Sequence, residues 1–312
     1  MSRNPRVVIL GAGMSSIACA DHLSESFDVE IYEKSRGVGG RLCSRRHSDT
    51  ARFHFGAQFC TSTNPSFHNF LKHNGAQNFL GSGIDLMTNQ QLETKNYYIH
   101  QNGMQSLLKE SSSNLNIHFE TKATHVNAMS KTLTLGSNLQ VPYDVLISSL
   151  PLPQAKELID CSIIPRTEFS PCIAVGMMVK LKDQNKFNAF KNVNAEVSWV
   201  GSSKFYNPTL QETWVVQLSP AGSQLKKGES DESLINYGHH TLESLLESDV
   251  ELSSSSVFRW KFAQCERATH NQPFTSLADN IFAIGDWHIS PRVESAFLSG
   301  RALAEHLNGR DT

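Results

Sequence analysis

The sequence predicts an α/β fold in which a strand-rich insert interrupts a parallel sheet covered by helices. Three observations predict it. Residues 7–10 (Val-Val-Ile-Leu) lead through Gly11-Ala12-Gly13 into residues 17–23, whose apolar side chains recur at helical spacing. Residues 29–33 then read as a second strand, so the opening is one β-α-β unit with the short connections such a unit requires. The pattern returns late: residues 280–284 read as a buried strand ended by Gly285-Asp286, and 292–307 as a helix, with strands dominating between the two ends.

Residues 7–10 are apolar without alternation, as expected of a strand buried on both faces. Residues 64–73 read as a helix with Pro65 in its first turn, and 103–109 as a shorter one. Residues 116–120, 124–127, 131–135 and 145–150 read as strands, the last stopped by Pro151 and Pro153, which cannot continue a central strand. Residues 172–182, 196–200, 213–218 and 256–262 are rich in β-branched and aromatic residues and read as further strands; 234–246 reads as a helix. The serine tracts 111–113 and 253–256 read as loops or turns.

Composition bounds the function. The 312 residues are 39% apolar and 19% charged, which fits a globular protein of about two domains and excludes a disordered chain. A net charge of -2 argues against a general nucleic-acid binder. The six cysteines, Cys19, Cys43, Cys60, Cys161, Cys172 and Cys265, form no C-x-x-C pair, so a zinc ribbon or thioredoxin motif is not expected, and free thiols are. No apolar stretch approaches the roughly 18 residues of a spanning helix. A polar lead, Met1 to Pro5, runs directly into the first strand, and the expectation is a cytoplasmic protein with no membrane partner.

Gly11-x-Gly13 lies where strand gives way to helix. Glycines there allow a tight turn and the approach of a pyrophosphate to backbone N–H groups at a helix N-terminus. Ser16 stands in the third fingerprint position, which serves helix–strand packing and tolerates a small residue. Glu33 follows Gly13 by twenty residues at the end of the second strand, where a carboxylate accepts from a ribose diol. Strand, turn, helix and acid together outweigh a plain glycine turn. A second cluster, Lys34-Ser35-Arg36-Gly37-Val38-Gly39-Gly40-Arg41, pairs flexible backbone with two arginines suited to phosphate.

That cluster resembles the flavin-containing amine oxidase superfamily, and its K-S-R-G-x-G-G-R form resembles the renalase-like bacterial branch. Gly56-Ala57-Gln58-Phe59, Gly103-Met104, Arg259-Trp260-Lys261-Phe262-Ala263, Gly285-Asp286-Trp287 and Arg292-Val293-Glu294-Ser295-Ala296-Phe297-Leu298-Ser299-Gly300 resemble further segments of that branch, in the same order along the chain. The region from about Leu150 to Ser255 carries little that matches. The resemblance implies an FAD-binding Rossmann-type fold of the two-domain glutathione-reductase/p-hydroxybenzoate-hydroxylase kind, with an inserted mixed-sheet substrate domain. It implies residues 1–73, 103–150 and 263–312 for the FAD-binding part, and 74–102 and 151–262 for the substrate part.

FAD would then be bound non-covalently. Gly11, Gly13, Met14, Ser15, Glu33, Lys34, Gly39, Gly40 and Arg41 would hold its ADP half and pyrophosphate, and Val126 would meet the adenine through its backbone. Gly285 and Asp286 would hold the ribitol chain or pyrophosphate. Ala57, Gln58, Val293, Glu294, Ser295 and Ala296 would lie near the flavin ring. The activity implied is oxidation of the 2- and 6-dihydro isomers of NAD(P) to NAD(P)+, by hydride transfer to flavin N5 with O2 as acceptor, giving H2O2. Such a substrate needs no strong general base.

Gln58, Trp260 and Trp287 are the expected pocket-shaping residues, with Phe59 beside them; Trp199 and Trp214 read more simply as core. Two departures bear on substrate choice: His54 stands where relatives often carry an acid, and Cys265 where a proline is common. His239-His240 reads as an exposed pair on a helix, without the carboxylate or cysteine spacing of a metal site. Arg45-Arg46-His47 reads equally as a solvated turn or as a phosphate-attracting one. Amine oxidation or another flavin reaction on a small molecule is the main alternative, and a non-catalytic flavin-binding sensor the second. The sequence leaves the oligomeric state open.

Overall fold

The computed structural model describes residues 3–23, 25–49, 51–79, 81–93, 96–136, 138–160, 167–182, 186–208, 211–267 and 272–309. Cys161 lies outside the described residues; the other five cysteines form no disulfide.

A six-stranded sheet runs in the order Phe274–Ala278, Ile281–Ile284, Val145–Ser148, Arg6–Leu10, Asp28–Tyr32, Asn116–His118. Its neighbours are parallel except for the antiparallel first pair. The continuous apolar run of the first strand is explained by its two covered faces. Val7 and Ile9 pack with Ile17 of helix Met14–His22 and Leu303 of helix Val293–Leu307. Val8 and Leu10 pack on the other side with Val126, Leu133 and Val141 of a three-stranded antiparallel sheet, and with Leu152 and Ala155 of helix Leu152–Leu158. Pro153 sits in the first turn of that helix, so the prolines that end one element open the next.

A seven-stranded mixed sheet runs in the order Val250–Cys265, Phe169–Leu181, Thr213–Leu218, Val197–Ser202, Ala189–Lys191, Gly83–Asp85, Gln90–Gln91. It is antiparallel except where Ala189–Lys191 lies parallel to Gly83–Asp85. Helix Asp231–Leu246, capped by the Ser230 side chain, lays Leu234 and Leu242 on its core beside Trp214. Trp214 is sealed, with its indole N–H on Glu212 at 2.9 Å, which is the core role expected of it. Between the sheets Phe53 and Phe55 pack with Ala174 and Val215.

The elements follow the expected order with shifted ends. Helix Pro65–His73 starts at Asn64, whose side chain accepts the N–H groups of Ser66 and Phe67. The serine tract 253–256 is a correction. It lies inside strand Val250–Cys265, where Ser254, Ser255 and Ser256 pair with Met178, Met177 and Gly176. A long antiparallel partner overrides the turn preference of serine there. Among the described residues no helix is long and apolar enough to cross a membrane.

Candidate functional site

The loop after the first strand has the shape its glycines allow. Gly11 adopts a φ of +91°, and a Cβ there would meet Ser149 Oγ at 2.8 Å. Its N–H donates to Tyr32 O at 2.9 Å, tying the turn to the second strand. Gly13 is the N-cap of helix Met14–His22 without a side-chain cap, and the space where its Cβ would stand is open for 4 Å. Free N–H groups facing open space are what a pyrophosphate requires. Met14 and Ser15 form the buried first turn behind them. Ser16 is fully buried and hydrogen-bonds Ser149 Oγ at 2.5 Å, which is how the turn absorbs a serine in place of the third glycine.

Glu33 is 8% exposed. Its Oε2 accepts the Ala12 N–H at 2.9 Å and its Oε1 the Ser35 N–H at 2.7 Å. The carboxylate is thereby fixed beside the glycine turn, with lone pairs left for a diol. Lys34 is exposed. The second glycine cluster folds over the first: Gly39 N–H donates to Ala12 O at 2.9 Å, and a Cβ on Gly40 would stand 3.5 Å from Gly13 Cα.

Arg41 forks onto Asp286 at 2.8 and 2.6 Å and donates to Ala263 O at 3.2 Å. Burial pulls its pKa down, but Asp286 more than offsets that, and the net shift is upward. Cys265 is buried close by, its thiol on Arg267 O at 3.2 Å and its pKa raised by burial. Gly285 N–H donates to Ser299 Oγ at 2.8 Å. Trp287 is 1% exposed, and its indole N–H has no partner among the described residues. Val126 is buried between Leu133 on one side and a single bridge to Ile159 on the other.

Residues 56–64 run from Arg41 to the last helix. Ala57 N–H donates to Arg41 O at 2.9 Å and Gly56 N–H to Cys43 O at 3.0 Å. The carbonyls on the other edge take side-chain donors: Trp260 Nε1 on Phe55 at 2.8 Å and Gln217 Nε2 on Gly56 at 2.8 Å, both from the seven-stranded sheet, and Tyr206 Oη, from the turn after that sheet's strand Val197–Ser202, on Gln58 at 2.6 Å. Trp260 thus spends its polar atom on the backbone. Its ring packs on Phe258, which also stacks on Phe55 and lies against the Arg45 guanidinium, 4.3 Å from the ring centre. Phe59 stacks on Tyr97 at 4.1 Å and leans on Trp199 at 5.3 Å.

Helix Val293–Leu307 opens at Arg292 without a side-chain cap. Glu294 Oε1 accepts the N–H groups of Thr63 at 2.6 Å and Asn64 at 2.7 Å, and Oε2 the Thr63 hydroxyl at 3.0 Å. Burial raises its pKa, but these donors and Arg292 outweigh that and hold it low. Ser295 Oγ lies 2.7 Å from Ser290 Oγ, and Ala296 N–H closes the first helical turn on Arg292 O.

His54 is 3% exposed, with Nδ1 2.9 Å from Ser44 Oγ, its ring 4.0 Å from that of Tyr206, and Nε2 without a partner among the described residues. Burial, with Arg52 nearby, pushes its pKa down to about 3. The structure therefore joins the two glycine clusters and Glu33 in one corner and Arg41 with Asp286 in the next, while Thr61, Thr63 and Asn64, downstream of Gln58, meet the start of the last helix. Sequence reasoning missed Tyr206 and Gln217, which lie in a stretch without a motif, and Glu294's grip on Thr63 and Asn64. It also missed Glu243 on the next turn from His239-His240: its carboxylate lies 3.6 and 3.3 Å from the two rings. His239 is half-buried, with Nε2 on Val250 O at 2.7 Å, so only His240 is exposed as expected.

Residues 9–73 match the family described as NAD(P)-binding Rossmann-like domain. The whole chain is similar in fold to a putative protoporphyrinogen oxidase from Exiguobacterium sp. 255-15, with TM-score 0.77, 12% identity, and coverage of 98% of this chain and 99% of that one. It is similar also to a reduced UDP-galactopyranose mutase, with TM-score 0.76, 11% identity, and 98% and 94% covered. A redesigned putrescine oxidase aligns with TM-score 0.72, 12% identity, and 98% and 99% covered. The chain shares their fold. That fold carries at least an oxidase and a mutase, so the reaction has to be argued from this chain's own residues.

Proposed function

We propose that the protein is an FAD-dependent oxidoreductase of renalase-like type, which binds FAD non-covalently and oxidises the 2- and 6-dihydro isomers of NAD(P) to NAD(P)+. The donor set fits the cofactor. The open helix N-terminus at Gly13 suits the pyrophosphate, Glu33 the ribose diol, and Arg41 with Asp286 the polar chain beyond. When bound, FAD supplies a hydride acceptor at N5 and returns the electrons to O2 as H2O2.

One observation carries the substrate reading: the carboxylates of Asp286 and Glu294 are engaged by donors, and burial keeps the His54 ring neutral. Asp286 is committed to Arg41, Glu294 is committed to Thr63 and Asn64, and His54 has a pKa of about 3. A dihydropyridine gives up hydride without losing a proton to the protein, so it suits this chemistry. The chain's work would be to hold the donor ring against the flavin and to exclude water, with Phe59, Tyr97 and Trp260 as aromatic surface.

The test is an anaerobic titration of the FAD-loaded protein with each dihydronicotinamide isomer, following the flavin absorbance. Rapid bleaching by the 2- or 6-isomer, little by ordinary 4-dihydro NADH or by amines, and peroxide on readmitting air are expected. Bleaching by amines alone overturns the substrate reading. A protein that takes up no FAD overturns the enzyme reading altogether.

A further inference from the structure

Gln58 is 5% exposed and pinned at both ends. Its own backbone carbonyl takes the Tyr206 hydroxyl at 2.6 Å. Its side-chain Nε2 donates to the carbonyls of His54 and of Gly56, the latter at 3.0 Å. These contacts fix which way the amide faces. Turned over, Oε1 would be set against two carbonyl oxygens, acceptor against acceptor. Oε1 is left on the other side. Among the described residues it accepts no hydrogen bond, and it is not one of the sealed polar atoms that lack a partner. What surface Gln58 retains therefore includes this oxygen.

The oxygen stands on the segment that leads from the Arg41–Asp286 pair to the last helix, where Arg292 donates to Thr61 Oγ1 at 2.7 Å. A fixed acceptor on an otherwise buried residue selects for a donor in whatever ligand covers it, because an acceptor covered without a partner loses its water and gains nothing. Resting on the dihydronicotinamide reading, the geometry points to Gln58 as a specificity-determining residue whose Oε1 accepts an N–H from the substrate's carboxamide. A ligand with the same ring and carbonyl but no N–H is discriminated against. The flavin's own imide N–H offers the same chemistry, so the test separates the two sources.

Oxidised NAD+ and its 3-acetylpyridine analogue, which keeps the carbonyl and lacks the N–H, are titrated into the FAD-loaded protein by calorimetry. The carboxamide compound is expected to bind about tenfold tighter or more. Gln58→Met is expected to weaken it to the level of the analogue, closing the ratio between the two. Equal binding of the two by the wild-type protein overturns the role of Gln58 while the dinucleotide reading stands. Binding of neither overturns both. A Gln58→Met protein with weakened FAD binding and an unchanged ratio assigns the N–H to the cofactor and overturns the substrate role. Should Gln58→Met not fold, the wild-type ratio alone decides.

Discussion

Arg41 and Asp286, 245 positions apart, meet in a two-pronged ion pair that ties the second glycine cluster to the loop after the last parallel strand. Asp286 is nearly buried, while the Arg41 side chain keeps 31% of its surface. Asp286→Asn keeps the shape and strips the charge, leaving a guanidinium without its counter-ion. Removing one partner of a fully buried pair costs about 3–5 kcal/mol; the exposure of Arg41 brings the expected loss to roughly 2–3 kcal/mol. Urea denaturation measures it. FAD affinity should fall with it, and an unchanged midpoint would show that the pair is solvent-screened.

Helices Met14–His22 and Val293–Leu307 touch at Gly300, where a Cβ would stand 2.0 Å from Ser15 O. Backbone cannot yield as a side-chain tip can. Gly300→Ala should cost about 1–3 kcal/mol by forcing the helices apart. Since the first of them presents the open N-terminus at Gly13, FAD binding should weaken too. Thermal unfolding with and without FAD tests both.

His54 makes stability depend on pH. Its folded value near 3 lies below its ordinary 6.5, so between them the unfolded chain holds a proton that the folded chain refuses. Stability from this source is complete above 6.5 and falls as the pH drops, by about 1.4 kcal/mol per unit. His288, pushed down to about 4 chiefly by burial, acts in the same direction. Unfolding free energy at pH 5 should lie about 2 kcal/mol below that at pH 7 for each histidine. His54→Gln should remove about 2 kcal/mol of the difference, and parallel pH curves for variant and wild type would refute the assignment.

Glu294 acts in a lower window. Its folded pKa lies below the ordinary 4.5, so its contribution is present above 4.5 and disappears as pH falls through the folded value. Glu294→Gln should be less stable by about 1–3 kcal/mol at pH 7, having lost the charge that holds Thr63 and Asn64. The gap should close as the pH falls below 4.5 and through the folded value. Melting curves of both proteins across that range check it.

What could be read from the sequence follows from how local each signal is. Residues 7–10, the Gly11 turn and Glu33 lie within one β-α-β unit, so their spacing encodes their geometry. Short strands such as Ala189–Lys191 and Gly83–Asp85 gain their definition from each other across a hundred residues, and neither has a pattern of its own. Ser254 to Ser256 read as a turn because local preference was all there was to weigh; their partners Met178 to Gly176 decide otherwise. In the site, Arg41 and Asp286 each stand in a motif, but their pairing does not. Gln217 and Tyr206 reach backbone carbonyls, which any sequence supplies, and so leave no mark in the residues they hold.

The place of Val145–Ser148 in the six-stranded sheet has a consequence for biosynthesis. In the finished molecule it is an interior strand, flanked by Arg6–Leu10 and Ile281–Ile284. On the ribosome it emerges long before its second neighbour. Until translation has passed Ile284, Val145, Leu146 and Ile147 form a bare, apolar border, open to docking by a strand from another nascent chain. The topology thus leaves the second edge of this strand to be covered by one of the last elements made.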